Sequence, residues 1–100
     1  MDKLKSIVEL TEMLRQMERD VGLDNLTQAE RDVFLAAHRL TERPGDIVQS
    51  DQIRRHDLVC SIAQASYHRA LRSLLALGLL ERAGGARTKL YVVRSDRIGR

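Results

Sequence analysis

The chain has 100 residues, 43% of them hydrophobic and 31% charged, which sets the scale of one small globular domain with a single modest core. No apolar run is long enough to span a bilayer and no signal-peptide core is present, so the protein is expected to be cytoplasmic and not membrane-bound. Cys60 is the only cysteine, which excludes an intramolecular disulfide and a thiolate metal cluster within one chain; it is expected to be a small core residue.

The net charge of +3 is unevenly divided. Residues 1–50 hold seven Lys and Arg against ten Asp and Glu, a net of −3, whereas residues 51–100 hold ten against four, a net of +6. Such segregation is the footprint of a face for a polyanion, although a solvated basic surface gives the same count.

Residues 3–21 contain neither Gly nor Pro. Ile7, Leu10, Leu14, Met17 and Val21 recur at alternating intervals of three and four, which predicts a helix with a heptad seam. Lys5, Glu9, Glu12, Arg15 and Glu18 are expected to keep the rest of that helix in water, while Leu4, Val8 and Met13 widen its apolar face. The seam is expected to be a dimer interface. The alternative is packing on its own domain, because fewer than three heptads make a short coiled coil. Gly22 ends the helix and Leu23-Asp24-Asn25-Leu26 leads onward.

Thr27-Gln28-Ala29-Glu30 has the capping-box pattern and predicts a second helix, in which Val33, Phe34, Ala37 and Leu40, with Ala36, recur at helical spacing. His38 lies off that stripe, without a Cys or spaced His nearby, and reads as a surface or partly buried residue. Arg43-Pro44-Gly45-Asp46 breaks the chain. Ile47-Val48 then predicts a very short strand, and Ser50 a cap for a short third helix through His56, with Asp51 in its first turn and Ile53 facing inward. Leu58, Val59, Cys60 and Ile62 connect to a long helix expected to start between Ser61 and Ala63.

In the long helix, Tyr67, Ala70, Leu71, Leu74 and Leu75 form a stripe for the core. The opposite stripe holds Gln64, His68, Arg69 and Arg72, rich in donors and free of carboxylates. Gly78 stops the helix. Leu79-Leu80-Glu81-Arg82, a Gly84-Gly85 turn and Thr88-Lys89-Leu90-Tyr91-Val92-Val93 then predict a β-hairpin.

Residues 27–93 resemble the winged helix-turn-helix transcription regulators of the MarR-like superfamily. The most specific part is Ala65-Ser66-Tyr67-His68-Arg69-Ala70-Leu71-Arg72-Ser73-Leu74-Leu75-Ala76-Leu77-Gly78-Leu79-Leu80-Glu81-Arg82, which looks like that superfamily's recognition helix leading into its wing. The sequence departs from the pattern at Arg54, Arg55, His56 and Asp57, where a compact turn of small residues is usual. The resemblance implies a winged helix-turn-helix over 27–93; with the N-terminal dimerisation helix read from its seam over 1–22 and a basic tail over 94–100, the expected fold is mainly α with a small β-hairpin.

It also implies a homodimer on double-stranded DNA. Gln64, His68, Arg69 and Arg72 would then face the major groove with Ser66 on the flank, Arg87 and Lys89 of the wing would reach phosphates or the minor groove, and Arg54 and Arg55 would touch the backbone. Glutamine suits an adenine edge and arginine a guanine edge, each pairing being worth about 1–3 kcal/mol of discrimination. The alternative is a winged-helix interaction module that uses the same arginines on an acidic partner surface. Concentration, a partner or a small effector ligand could control either.

An enzyme is not expected, and neither is a cofactor or a metal. The chain has no Gly-rich phosphate loop, no paired metal-ligand spacing and no Ser, His and acid set that the sequence brings together. His56 and Cys60 stand four apart, but the interval spans a predicted helix end.

Overall fold

Asp2 opens the first helix, its Oδ1 accepting the amides of Leu4 at 2.9 Å and Lys5 at 3.3 Å. The computed structural model, which describes residues 2–85 and 89–98, carries this helix, α1, from Lys3 to Val21. Gly22 ends it at φ 83°, a left-handed conformation that costs glycine little, with its amide on the Arg19 carbonyl. A 3₁₀ turn over Leu23–Asn25 follows, and Leu23 and Leu26 are buried beneath it.

The second helix, α2, spans Gln28–Arg39 and has the expected capping box: Thr27 Oγ1 accepts the Glu30 amide at 3.2 Å, and a Glu30 oxygen accepts the Thr27 amide at 2.7 Å. After the break at Pro44 come strand β1 at Ile47–Gln49, helix α3 at Ser50–Arg55 and helix α4 at Gln64–Ala76. Strands β2 at Leu80–Arg82 and β3 at Leu90–Val93 and a 3₁₀ turn over Ser95–Arg97 complete the order.

The result is mainly helical with one small antiparallel sheet, ordered β1-β3-β2. Val48 pairs with Tyr91, and Leu80 with Val93. Because side chains alternate along a strand, this register turns Val48, Leu80, Tyr91 and Val93 to the inner face. There they meet Val33 and Phe34 of α2, Ile53 of α3, and Tyr67, Leu71 and Leu74 of α4 in one buried core. Among the described residues no helix is long and apolar enough to cross a membrane.

Several residues depart from the sequence reading. Glu18, expected in water, is buried at 6% exposure, because α1 leans on α2 there and Glu18 pairs with Arg15 at 3.2 Å and Arg31 at 3.7 Å. Leu40, expected on the buried stripe, is the C-cap of α2 and 37% exposed. Ser50 is not a helix cap. Gln49 precedes α3 as the cap, its amide held by Gln52 Oε1 at 2.9 Å, and Ser50 turns inward to meet Tyr67. The helix ends at Arg55, one residue before the expected His56, and α4 starts at Gln64 behind an Ala63 cap. Strand β3 begins at Leu90, and Thr88 lies outside the described residues.

Cys60 is exposed rather than part of the core. Residues 56–62 wind through successive turns, with the Val59 and Cys60 amides both on the His56 carbonyl and the Ile62 amide on Val59. That winding buries Val59 and half-buries Ile62, and it turns Leu58 and Cys60 outward. The Cys60 thiol donates to the Asp57 carbonyl, and the His56 Nδ1 accepts the Leu58 amide, so each is occupied within the turn.

Candidate nucleic-acid interface

The orientation of α4 is fixed from beneath by Tyr67. Its ring is buried at 1% exposure, and its hydroxyl bonds the Ser50 hydroxyl at 2.8 Å and the Ser50 carbonyl at 3.2 Å. Burial holds the Tyr67 hydroxyl above its usual pKa, with the Ser50 hydrogen bond pulling the other way, so it stays protonated and can donate. The assignment of Tyr67 to packing rather than to an outward face is correct.

Arg54 completes the support. Its Nη1 donates to the Val59 carbonyl at 2.8 Å and its Nη2 to the Ile62 carbonyl at 2.7 Å, while the guanidinium lies 5.2 Å from the centre of the Tyr67 ring. The run Arg54-Arg55-His56-Asp57, unusual in the sequence, thus contains the strut for the turn between α3 and α4. Arg54 is half-buried and engaged, and a free phosphate contact at this position is not what the geometry offers. Arg55 is exposed and, among the described residues, bonds the Asp51 carbonyl alone, at 3.3 Å.

With Tyr67, Ala70, Leu71 and Leu74 buried, α4 presents Gln64, His68, Arg69 and Arg72 to solvent, and Ser66 is half-buried on the flank. Among the described residues no hydrogen bond or ion pair engages the side chains of Gln64, Arg69, Arg72 or Lys89. The exposed residues do not form one patch. Gln64 and His68 line a cleft of about 340 Å³ between α3, α4 and the sheet, together with Arg54, Asp51, Arg82 and Lys89. Ser66 and Arg69 line the opposite shoulder of α4, beside Thr27, Glu30 and Ser73 at the start of α2. Arg72 lies on the crest between them and borders neither.

Charge separates the two shoulders. The cleft at Gln64 holds three cations, Arg54, Arg82 and Lys89, against the single carboxylate of Asp51. The shoulder at Arg69 has Glu30 facing it. Ser73 donates a hydrogen bond to Glu30, which, with the Thr27 amide, holds that carboxyl below its ordinary pKa and keeps it ionised. A polyanion is therefore favoured on the cleft side and meets a like charge, Glu30, on the other.

Arg82 was not singled out from the sequence. It pairs with Tyr91 in the β2–β3 register and its guanidinium lies 6.0 Å from that ring, which brings it beside Lys89 and across from Gln64. The available signal was strand alternation: Leu80 points to the core, so Arg82 follows the register and not the turn. Lys89 is exposed as expected, while its carbonyl accepts the Ser50 amide at 2.9 Å, tying the sheet to α3. Arg87 lies outside the described residues.

The C-terminal cations are engaged differently. Arg94 pairs with Glu81 and Asp96, and Arg97 with Glu81 at 3.3 Å; the Asp96 contact in particular raises the Arg94 pKa and lowers that of Asp96. Gly78, at φ 76°, leaves the space that the Arg97 guanidinium occupies. No family model, no curated protein and no solved structure matches the chain.

Proposed function

We propose that the protein is a winged helix-turn-helix regulator that binds double-stranded DNA sequence-specifically as a homodimer, with α4 as the recognition helix and the β2–β3 hairpin as the wing. The observation that carries this reading is the cleft in which Gln64 and His68, on the solvent face of a helix fixed from below, open beside Arg82 of β2 and Lys89 just before β3. That combination supplies base-reading donors and phosphate-reading cations from two adjacent elements, which is what a duplex requires of a small domain. The order helix, strand, helix, helix, strand, strand, with the last strand in the middle of the sheet, also suits a winged helix-turn-helix.

Within this reading Gln64 and His68 rank first as base readers, Arg82 and Lys89 hold phosphates, and Arg72, on the crest of α4, reaches the backbone. The test is a salt titration against random-sequence duplex for the wild type and for Arg82→Ala with Lys89→Ala. The wild-type affinity should fall steeply with salt, and the double variant should lower the slope by up to about 1.8 per protomer, because each released phosphate contact contributes about 0.9. Binding that is indifferent to salt would reject the duplex reading and favour a protein-interaction module docking an acidic surface.

A further inference from the structure

We infer that α1 pairs with α1 of a second copy in antiparallel orientation, about an axis at the level of Glu12. This rests on the dimer in the proposed function and specifies how that dimer is built. Ile7, Leu10, Leu14 and Met17 are 50–64% exposed, and no described part of the same chain covers them, while Val21 at the end of the same seam packs against the core. The seam is thus a continuation of the core into solvent, and a second seam is its simplest cover.

Direction is decided by residues off the seam. Leu4 is 73% exposed and lies towards the side of the helix on which Glu18 stands, fourteen residues on. At the C-terminal end of that side, the chain's own α2 covers Glu18 through Arg31. At the N-terminal end, nothing among the described residues covers Leu4.

Reversing one helix on the other about Glu12 sets Ile7 against Met17 and Leu10 against Leu14. It also brings Leu4 to the partner's α2 end, beside Val21, which is half-buried against the core. Lys3 falls opposite Val21, within reach of Asp20, so the charges at the ends also match. A parallel pair gives none of this. It sets Lys3 against Lys3, leaves Leu4 in water and crowds both domains at one end. The antiparallel pair places them at opposite ends of a helix about 28 Å long, from 19 residues at about 1.5 Å each, close to the roughly 34 Å between half-sites one DNA turn apart.

The experiment uses the full chain with Cys60→Ser, so that added cysteines are the only thiols. Leu10→Cys and Leu14→Cys chains are mixed under reducing conditions, oxidised and compared with each chain alone. The antiparallel pair should give a covalent dimer from the mixture and not from either variant alone, because equivalent positions are offset by a helical turn and Cα atoms beyond about 7 Å cannot bridge. Leu4→Ala, which leaves the protomer core untouched, should weaken dimerisation by about tenfold in sedimentation equilibrium. Rapid cross-linking of Leu10→Cys alone, or a Leu4→Ala dimer as tight as wild type, would overturn the antiparallel arrangement and leave the dimer standing. A dimer that cross-links in no combination would overturn pairing through α1. A monomeric wild type would reject the homodimer itself.

Discussion

The Tyr67 hydroxyl and Ser50 form a polar contact inside the core, and the support of α4 depends on it. Tyr67→Phe keeps the ring and leaves the Ser50 hydroxyl buried without its partner, so the expected loss is about 1–3 kcal/mol in urea unfolding with an unchanged m-value. Arg54 calls for a sharper distinction, since it is a cation that holds two carbonyls of the α3–α4 turn. Arg54→Ala should destabilise the fold by about 2 kcal/mol while leaving the salt slope of DNA binding unchanged, unlike Lys89→Ala, which should lower the slope with little effect on stability. Neither role could be read from residue type. Ser50 has the chemistry of a cap and Cys60 that of a core residue, and only the path of the chain decides that the first turns inward and the second outward.

At the scale of elements the sequence was far more informative, because helix ends are written locally. The capping box at Thr27 and Glu30, the stops at Gly22 and Gly78 and the strand after Pro44 all depend on neighbours within a few positions, and each forms where the pattern places it. What was not legible is where elements touch. The Ser73–Glu30 hydrogen bond joins α4 to α2 across 43 positions and makes the capping carboxylate serve two helices. It holds the Glu30 pKa below its ordinary value, so Glu30 contributes stability that is fully present above about pH 5 and is lost as pH falls through the lowered native value. Glu30→Gln should flatten the acid limb of a stability–pH profile and leave the neutral region more nearly level; an unchanged acid limb would show that the carboxylate is not coupled to folding.

The same limit applied to the candidate site. Gln64 and His68 could be assigned to the solvent face of α4 from periodicity alone, but the separation of Arg69 onto a shoulder shared with Glu30, and the arrival of Arg82 beside Lys89, follow from how α2 and the sheet pack on that helix. Charge segregation along the chain pointed to the basic half. It could not show that Arg54, Arg94 and Arg97 are occupied within the fold, which narrows the cations open to a polyanion.

For the whole molecule, the long dimension of 52 Å against 30 Å and 23 Å reflects α1, whose apolar face extends away from the core. Placing Asp at both Leu10 and Leu14 should give a folded monomer by sedimentation, with the thermal transition of the domain retained, because these side chains contribute to no buried core within the protomer. Loss of folding would instead make α1 part of the domain's own stability. Such a monomer should also bind duplex more weakly, since two half-sites on one molecule raise the effective concentration of the second contact.

Whether the exposed start of α4 reads bases is tested by selection of bound duplexes from a random pool with the wild type and with Gln64→Ala, the variant's fold and oligomeric state being verified. The wild type should give a palindromic consensus, and the variant the same consensus relaxed at one position in each half-site, with a loss of about 1–3 kcal/mol on the wild-type site. An identical consensus at equal affinity, or no enriched sequence for the wild type, would contradict base reading by α4.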